Sequence, residues 1–445
     1  MGLNATPSAN RIHIGFFGRR NVGKSSLVNA VTGQKLSVVS DTKGTTTDPV
    51  YKSMELLPLG PVLIIDTPGI DDEGELGHLR MEKTKQVLNK TDMAVLVVEA
   101  GQIIGEYEKE LKRQFEIREI PYLIVCNKCD LMDKGKKNTV VNAVFEDDDL
   151  NADERMDLGE NLTSDKKLAF DKALNTDKNT GSEKKLTVDN MLYVSSKQGE
   201  GIEELKNRMS VLIKAEDIDK KIVGDLIKPF DTVVLVIPID ASAPKGRLIL
   251  PQQQVIRDIL DAGGICVTVK DKELEGALDK LGTKPYMVIT DSQAFGEVSK
   301  IVPKDIYLTS FSILMARWKG FLKTAVAGAY KLSDIHDGDE ILISEGCTHH
   351  RQCEDIGTVK LPKLISTFSK AEPKFTFTSG GDYPEELGKY KLVIQCGGCM
   401  LNERTVRYRM KLAAEQGIPF TNYGTAIAYM NGILERSVDV LKDEL

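Results

Sequence analysis

Residues Gly18 to Ser26 spell GRRNVGKSS, set between an apolar run, Ile12 to Phe17, and a helical pattern, Leu27 to Val31. A strand, a tight glycine turn and a helix in that order form a phosphate cradle. Gly18, Asn21, Val22 and Gly23 supply a turn whose backbone N–H groups converge on the phosphates, and Lys24 reaches the β- and γ-phosphates. The Ser25 hydroxyl can ligate Mg²⁺, with Ser26 beside it in the first helical turn. The short pattern alone has chance matches, so its weight rests on the motifs farther along the chain.

Partner motifs arrive in the order that a guanine-nucleotide switch needs. A polar loop, Ser40 to Asp48, carries three threonines, and Thr46 is the one expected to fold over the γ-phosphate as a second Mg²⁺ hydroxyl. The buried-strand run Val62 to Ile65 ends in Asp66-Thr67-Pro68-Gly69. Asp66 there can hold the water shell of Mg²⁺, and the Gly69 N–H can sense the γ-phosphate. Ile70 occupies the place where Ras-type enzymes put a water-orienting glutamine, so unaided hydrolysis should be slow. Apolar strands Met93 to Val98 and Pro121 to Cys126 then lead to Asn127-Lys128-Cys129-Asp130. A carboxylate at Asp130 accepts from both N1–H and the 2-amino group of guanine, donors that adenine does not present together. Ser195-Ser196-Lys197, after the strand Met191 to Val194, completes the base-side turn. The expected activity is GTP hydrolysis to GDP, with Lys24, Ser25, Thr46, Asp66 and Gly69 at the reacting phosphate. Cys126 and Cys129 could be read as a metal or redox pair, but Asn127 and Lys128 between them already serve the base, and the pair is taken as incidental.

At 445 residues a single core is too small, and several domains are expected. The net charge of −7 argues against a broad nucleic-acid or membrane-binding face, and no run of eighteen apolar residues occurs. The polar N-terminus lacks a secretory signal, so the loose myristoylation pattern at Gly2 and the final Lys442-Asp443-Glu444-Leu445 are read as coincidence. A cytoplasmic location, or an anaerobic organelle or plastid equivalent, is the expectation.

Residues 134–190 are rich in Asp, Lys, Asn and Ser and bury little apolar surface, which reads as a polar surface insertion with at most a short helix near Lys167 to Leu174. Strands and helices alternate again from Val233 to Thr290, implying a second parallel α/β unit without a phosphate cradle. Farther on, strand Glu340 to Ser344 runs into Gly346-Cys347-Thr348-His349-His350, and strand Lys391 to Ile394 runs into Gln395-Cys396-Gly397-Gly398-Cys399. Each cysteine group lies just past the carboxyl end of a strand, where open α/β sheets build their sites. The seven cysteines of a chain without a signal suggest metal or redox chemistry in place of a disulfide scaffold. Cys347, Cys396 and Cys399 with a histidine fit either a Cys₃His zinc site or an iron–sulfur cluster with a non-cysteine fourth ligand.

GRRNVGKSS, KGTTTDPVY, DTPG and NKCD together with CTHHRQCEDIG and QCGGCMLN resemble the HydF family, the GTPase scaffolds of [FeFe]-hydrogenase maturation within the TrmE/Era-like superfamily. The resemblance covers the chain from Arg11 onward except the insertion. It implies an α/β protein of three units: a P-loop GTPase domain at residues 1–218, a parallel α/β dimerisation domain at 219–318, and an α/β cluster-binding domain at 319–445. It further implies a [4Fe–4S] cluster on Cys347, Cys396 and Cys399, with His349 as a candidate fourth ligand. A diiron unit made with HydE and HydG would be passed to the hydrogenase HydA by a homodimer with no nucleic-acid or membrane partner. Asn21 matches the cradle asparagine of TrmE-like enzymes, which implies K⁺ activation. One departure stands out: the family often has a histidine before the C-x-x-C pair, and here Gln395 takes its place. The competing expectation is an Era-type RNA- or ribosome-associated GTPase with structural zinc, which would need a basic RNA-facing domain.

Overall fold

The computed structural model describes residues 7–34, 48–69, 83–102, 104–132, 190–214, 220–239, 248–346 and 356–445. Thr46, Ile70, Cys347, His349, His350 and the insertion at 134–190 lie outside the described residues.

Three sheets follow one another along the chain. The first contains β1 (Ile12–Phe17), β2 (Val50–Leu56), β3 (Gly60–Asp66), β4 (Met93–Glu99), β5 (Tyr122–Asn127) and β6 (Met191–Tyr193), in the order β2-β3-β1-β4-β5-β6. All neighbours are parallel except β2 and β3. Continuous Val, Ile and Leu runs in β1, β3, β4 and β5 are what a sheet covered on both faces requires. One face packs Ile14, Val95 and Val125 against α1 (Lys24–Thr32) and α3 (Ile202–Lys214). The other packs Phe17, Leu96 and Ile124 against Leu111 and Phe115 of α2 (Glu106–Ile117). β2 gives no signal in the sequence, because most of its side chains are exposed and it carries no apolar run.

The second sheet holds β7 (Thr232–Val236), β8 (Ile265–Val269), β9 (Met287–Thr290) and β10 (Tyr307–Ser310), joined by α4 (Leu250–Asp261), α5 (Leu274–Lys280) and α6 (Phe295–Ile301). After α7 (Phe311–Trp318) and α8 (Leu322–Ala329), the third sheet holds β11 (Glu340–Ser344), β12 (Lys374–Thr378), β13 (Leu392–Gln395) and β14 (Phe420–Asn422). α9 (Leu361–Ser369) precedes β12, α10 (Glu403–Glu415) precedes β14, and α11 (Tyr423–Met430) and α12 (Leu434–Val438) follow it.

Both later sheets are wholly parallel, and they share one topology, β8-β7-β9-β10 and β12-β11-β13-β14. The likeness extends to details: α4 and α9 each carry a proline in the first turn, Pro251 and Pro362, and α7 and α11 are capped by Ser310 and Asn422 at the ends of β10 and β14. The two sheets bury a single hydrophobic cluster running from Ile222 to Leu441. α7 and α11 meet inside it at Ser312 and Gly424, where any Cβ on residue 424 would stand 2.7 Å from the Ser312 Cβ. The Ser312 hydroxyl accepts from the Gly424 amide at 3.2 Å. Arg317 braces the same junction, pairing with Asp225 at 2.5 Å and Glu444 at 2.6 Å.

In a parallel 2-1-3-4 sheet the order in which strands are added reverses between the first and third strands, and ligand sites form outside that switch point. For the third sheet this is the gap between the ends of β11 and β13, where Gly346 and the Cys396–Cys399 turn lie. For the first sheet it is the gap between β1 and β4, above which the glycine-rich turn lies.

Candidate functional site

Two strand-end sites are built from these elements. At the first, Gly18 (φ +142°) and Gly23 (φ +89°) adopt backbone conformations that side chains strain. A Cβ on Gly18 would stand 2.2 Å from the Val97 carbonyl oxygen of β4, and one on Gly23 would stand 2.3 Å from Asn127 Nδ2. Both glycines are therefore required by close approach as well as by φ. The Lys24 ammonium is buried and donates to the Gly18 and Arg19 carbonyls at 2.8 and 2.6 Å, which holds it over the turn.

Ser25 Oγ donates to Asp66 Oδ2 at 2.6 Å, while Asp66 Oδ1 is buried without a hydrogen-bond partner. A buried carboxylate oxygen left without a partner beside a hydroxyl fits a hydrated Mg²⁺, which would use both groups. Gly69 sits against the cradle, since a Cβ there would lie 2.6 Å from the Arg20 Cα.

The base side is assembled around Asn127, which is fully buried. Its Nδ2 donates to the Val22 carbonyl at 3.1 Å and its Oδ1 accepts from the Ser196 amide at 3.1 Å, so it ties the cradle to the Ser195-Ser196-Lys197 turn. Asp130 Oδ1 accepts from Ser195 Oγ at 2.6 Å, and that hydroxyl in turn accepts from the Gln198 amide. Lys128 pairs with Glu99 at 2.7 Å. Asn21 and Lys197 are exposed at the rim. Cys126 and Cys129 are buried, and burial pushes the Cys126 thiol up to about 12, an inert packing role. Lys24, Ser25, Asp66, Asn127, Asp130 and Ser195 are thus gathered at one sheet end, while Thr46 lies outside the described residues.

At the second site the β13 end turns through Cys396, Gly397, Gly398 and Cys399. Three N–H groups converge on Cys396 Sγ: the Gly346 amide at 3.0 Å, the Gly398 amide at 3.3 Å and the Gln395 side-chain amide at 3.3 Å. N–H groups on a cysteine sulfur are the outer-shell contacts that orient and tune a metal ligand. Gly346, the residue before Cys347, therefore reaches the Cys396 sulfur; Cys347 and His349 themselves lie outside the described residues. Gln395 is fully buried and spends both ends on neighbours, its amide on Cys396 and its Oε1 on Arg409 at 3.0 Å. It thus supports the sulfur and does not aim a ligand outward. Burial raises the Cys399 thiol, and the Cys396 charge adds to this while Lys319 opposes it.

Lys319 and Arg409 are the residues that sequence reasoning missed. The Lys319 ammonium, at the end of α7, donates to the carbonyls of Gly398 and Leu401 across the cysteine turn. Burial pulls it down to about 8, against the upward pull of the Cys399 and Cys396 charges. Arg409, on α10, bridges Ser344 Oγ at 2.9 Å and Gln395 Oε1, the last residues of β11 and β13. Two thiols two residues apart, one of them accepting three N–H groups, are donors that suit a soft metal, an iron–sulfur cluster or zinc alike.

Comparison with known proteins matches three successive segments of the chain. Residues 13–128 match the family model of the 50S ribosome-binding GTPase, residues 222–320 that of the hydrogen maturase F dimerization domain, and residues 323–440 that of the hydrogen maturase F tetramerization domain. Among curated relatives, GTPase Der of Sulfurimonas denitrificans is 32% identical over 139 residues, 31% of this chain and 28% of its own. The tRNA modification GTPase MnmE of Carboxydothermus hydrogenoformans is 40% identical over 122 residues, 27% of this chain and 26% of its own. The chain thus spans only about a quarter to a third of such relatives. A crystal structure of Aquifex aeolicus Era bound to GDP·AlF4⁻ matches at 18% identity and a TM-score of 0.32, covering 65% of this chain and 97% of that one.

Proposed function

The chain belongs to the hydrogen maturase F family, two of whose domain models match it in tandem, and on that premise we propose that it is a GTP-hydrolysing scaffold that binds a [4Fe–4S] cluster and passes a diiron unit to [FeFe]-hydrogenase. Three units carry this reading: residues 1–218 for the nucleotide, 219–318 for dimerisation and 319–445 for the cluster. The observation that carries it most is the Cys396–Cys399 turn at the switch point of the third sheet, with the Gly346 amide on the Cys396 sulfur, in the same chain as the phosphate cradle.

On the nucleotide side, Lys24 would neutralise charge on the transferring phosphoryl group, and Ser25 and Thr46 would hold Mg²⁺ while Asp66 orders its water. Asn127, Lys128 and Asp130 with Ser195 and Ser196 select guanine. Asn21, at the exposed rim, is the residue through which K⁺ would stimulate a slow hydrolysis. Loss of the γ-phosphate would remove the contacts assigned to Thr46 and Gly69, which is the switch this reading calls for.

On the cluster side, Cys347, Cys396 and Cys399 would supply three thiolates, and His349 or an exchangeable ligand would fill the fourth position. A cluster held by three cysteines would leave a replaceable position suited to releasable cargo. The partners are then HydE and HydG as sources and HydA as acceptor.

The docking of the third unit on the first supports communication between the sites. Asn402, which caps α10 just past Cys399, donates to Asp92 Oδ1 at 3.1 Å and to the Lys90 carbonyl at 2.8 Å. Arg404 donates to the Glu119 carbonyl at 3.0 Å. These contacts touch the amino ends of β4 and β5, whose carboxyl ends carry the cradle contact at Val97 and the base-reading Asn127. Exposed edge strand β8 supports pairing between copies, and the named dimerization and tetramerization models support an oligomer. Among the described residues no helix is long and apolar enough to cross a membrane. A cytoplasmic location, or its equivalent in an anaerobic organelle, suits oxygen-sensitive cargo.

The Era-type reading with structural zinc shares only the first segment, since the ribosome-binding GTPase model ends at residue 128. The experiment is transfer: protein loaded anaerobically with iron, sulfide and the products of HydE and HydG should activate apo-hydrogenase. Loaded protein that leaves the hydrogenase inactive while binding GTP normally would reject the scaffold role.

A further inference from the structure

Lys319 and Arg409 are among the most enclosed charged side chains of the protein, 2% and 1% exposed. Burying a cation without a counter-charge is costly, so such groups are usually paired with a carboxylate. Here the partners are neutral. Lys319 donates to two backbone carbonyls, Gly398 and Leu401, and Arg409 to Ser344 Oγ, Gln395 Oε1 and the Gly380 carbonyl. Aromatic faces complete their surroundings, Trp318 at 5.9 Å from Lys319 Nζ and Tyr383 at 4.8 Å from Arg409 Cζ. Among the described residues neither cation forms an ion pair. Glu403, whose charge reaches Lys319, is already engaged by Lys220 and Arg407, each at 2.8 Å, and Asp382, whose charge reaches Arg409, is exposed. The group that remains to carry negative charge near both is the half-buried Cys396 sulfur, which accepts from the Gln395 amide that Arg409 holds, with the half-buried Cys399 sulfur also acting on Lys319.

We infer that Lys319 and Arg409 are a buried pair of counter-cations for the thiolate-held iron centre, which position its cysteine-bearing strand ends and hold its reduction potential up. This rests on the cluster reading above and adds to it two residues from opposite sides, one ending α7 and one on α10. Three thiolates outweigh the charge of a [4Fe–4S]²⁺ core, so the loaded centre is anionic, and reduction makes it more so. Buried cations favour both steps. The geometry gives each a second task. Lys319 fixes the turn between Cys396 and Cys399 through its two carbonyls, and Arg409 joins the last residues of β11 and β13, which deliver Cys347 and Cys396. Because Lys319 caps α7, the last helix of the second unit, the cluster turn is held at the boundary of the second and third units.

The test uses full-length protein reconstituted anaerobically with iron and sulfide: wild type, Lys319→Met, Lys319→Arg, Arg409→Gln and Arg409→Lys. Cluster content comes from iron and sulfide analysis, and the midpoint from a redox titration followed by electron paramagnetic resonance. The neutral variants should lose at least half of the cluster or, where they retain it, titrate at a lower midpoint, while the charge-conserving variants stay near wild type. Neutral variants that load and titrate as wild type would overturn the inference, as would charge-conserving variants that lose as much as the neutral ones. Failure of the wild type to take up any cluster would instead reject the cluster reading, and the counter-cations with it.

Discussion

The Gly346 amide donates to the Cys396 sulfur across 3.0 Å, joining residues fifty positions apart in sequence at the ends of adjacent parallel strands. β11 and β13 are neighbours only because the chain places β12 on the far side of β11 before returning, which opens the switch point between them. The same construction in the first sheet sets the phosphate cradle between β1 and β4. A nucleotide site and a thiol site thus arise from one rule of α/β topology applied twice.

Asp130→Asn should weaken GTP binding by about tenfold or more, the loss of a bidentate base contact being worth about 1–3 kcal/mol. The asparagine amide should favour xanthosine nucleotides. Fluorescent-nucleotide titration with both bases measures this, and unchanged GTP affinity would remove Asp130 from base reading.

Gly23→Ala should disturb more than a flexible turn. The new methyl would press on Asn127 Nδ2 while the backbone sits at φ +89°, a strain of about 1–3 kcal/mol. A lower melting temperature together with lost GTP affinity is expected. Wild-type values for both would show that the cradle and Asn127 are not tied together.

Acid should loosen the junction of the second and third sheets. Hydrogen bonds from Arg317 hold the Asp225 carboxyl below its ordinary range, with burial opposing them. A depressed folded pKa means that the contribution is present above the unfolded carboxylate range, near pH 4, and is lost as pH falls through the folded value. Asp225 is 45% exposed, so the contribution is about 1 kcal/mol or less. Asp225→Asn should therefore lower the melting temperature at pH 7 and narrow the gap to wild type as the pH approaches 3. An equal gap at every pH would contradict the ion-pair account.

Ile265→Lys should reduce self-association. Ile265 opens the edge strand β8 and is 46% exposed, and a lysine on a sheet edge opposes pairing with another edge. Light scattering behind size-exclusion chromatography should show a smaller species with GTP binding retained. An unchanged mass would move the interface elsewhere.

Where the sequence was readable, the reason is physical. β1, β3, β4 and β5 are buried on both faces, so they appear as apolar runs, and the loops after them carry residues whose chemistry is unusual enough to name. β2 and β10 escaped notice for opposite reasons: β2 exposes most of its side chains, and the four residues of β10 are too short a run to separate from the helix after it. Lys319 and Arg409 could not be found by spacing, since what marks them is burial, and burial depends on which helices close over the turn. Gln395 looked like a lost ligand in the sequence, whereas in the fold it links Arg409 to the Cys396 sulfur.

The central claim, a guanine-nucleotide switch and a three-thiolate iron site on one polypeptide, is tested most directly by Mössbauer spectroscopy of ⁵⁷Fe-reconstituted protein under anaerobic conditions, comparing wild type with Cys347→Ser, Cys396→Ser and Cys399→Ser at equal GTP affinity. A [4Fe–4S] spectrum in the wild type that disappears in each variant is the predicted result. Colourless wild-type protein holding stoichiometric zinc, or a cluster that survives loss of any one of the three cysteines, would contradict it.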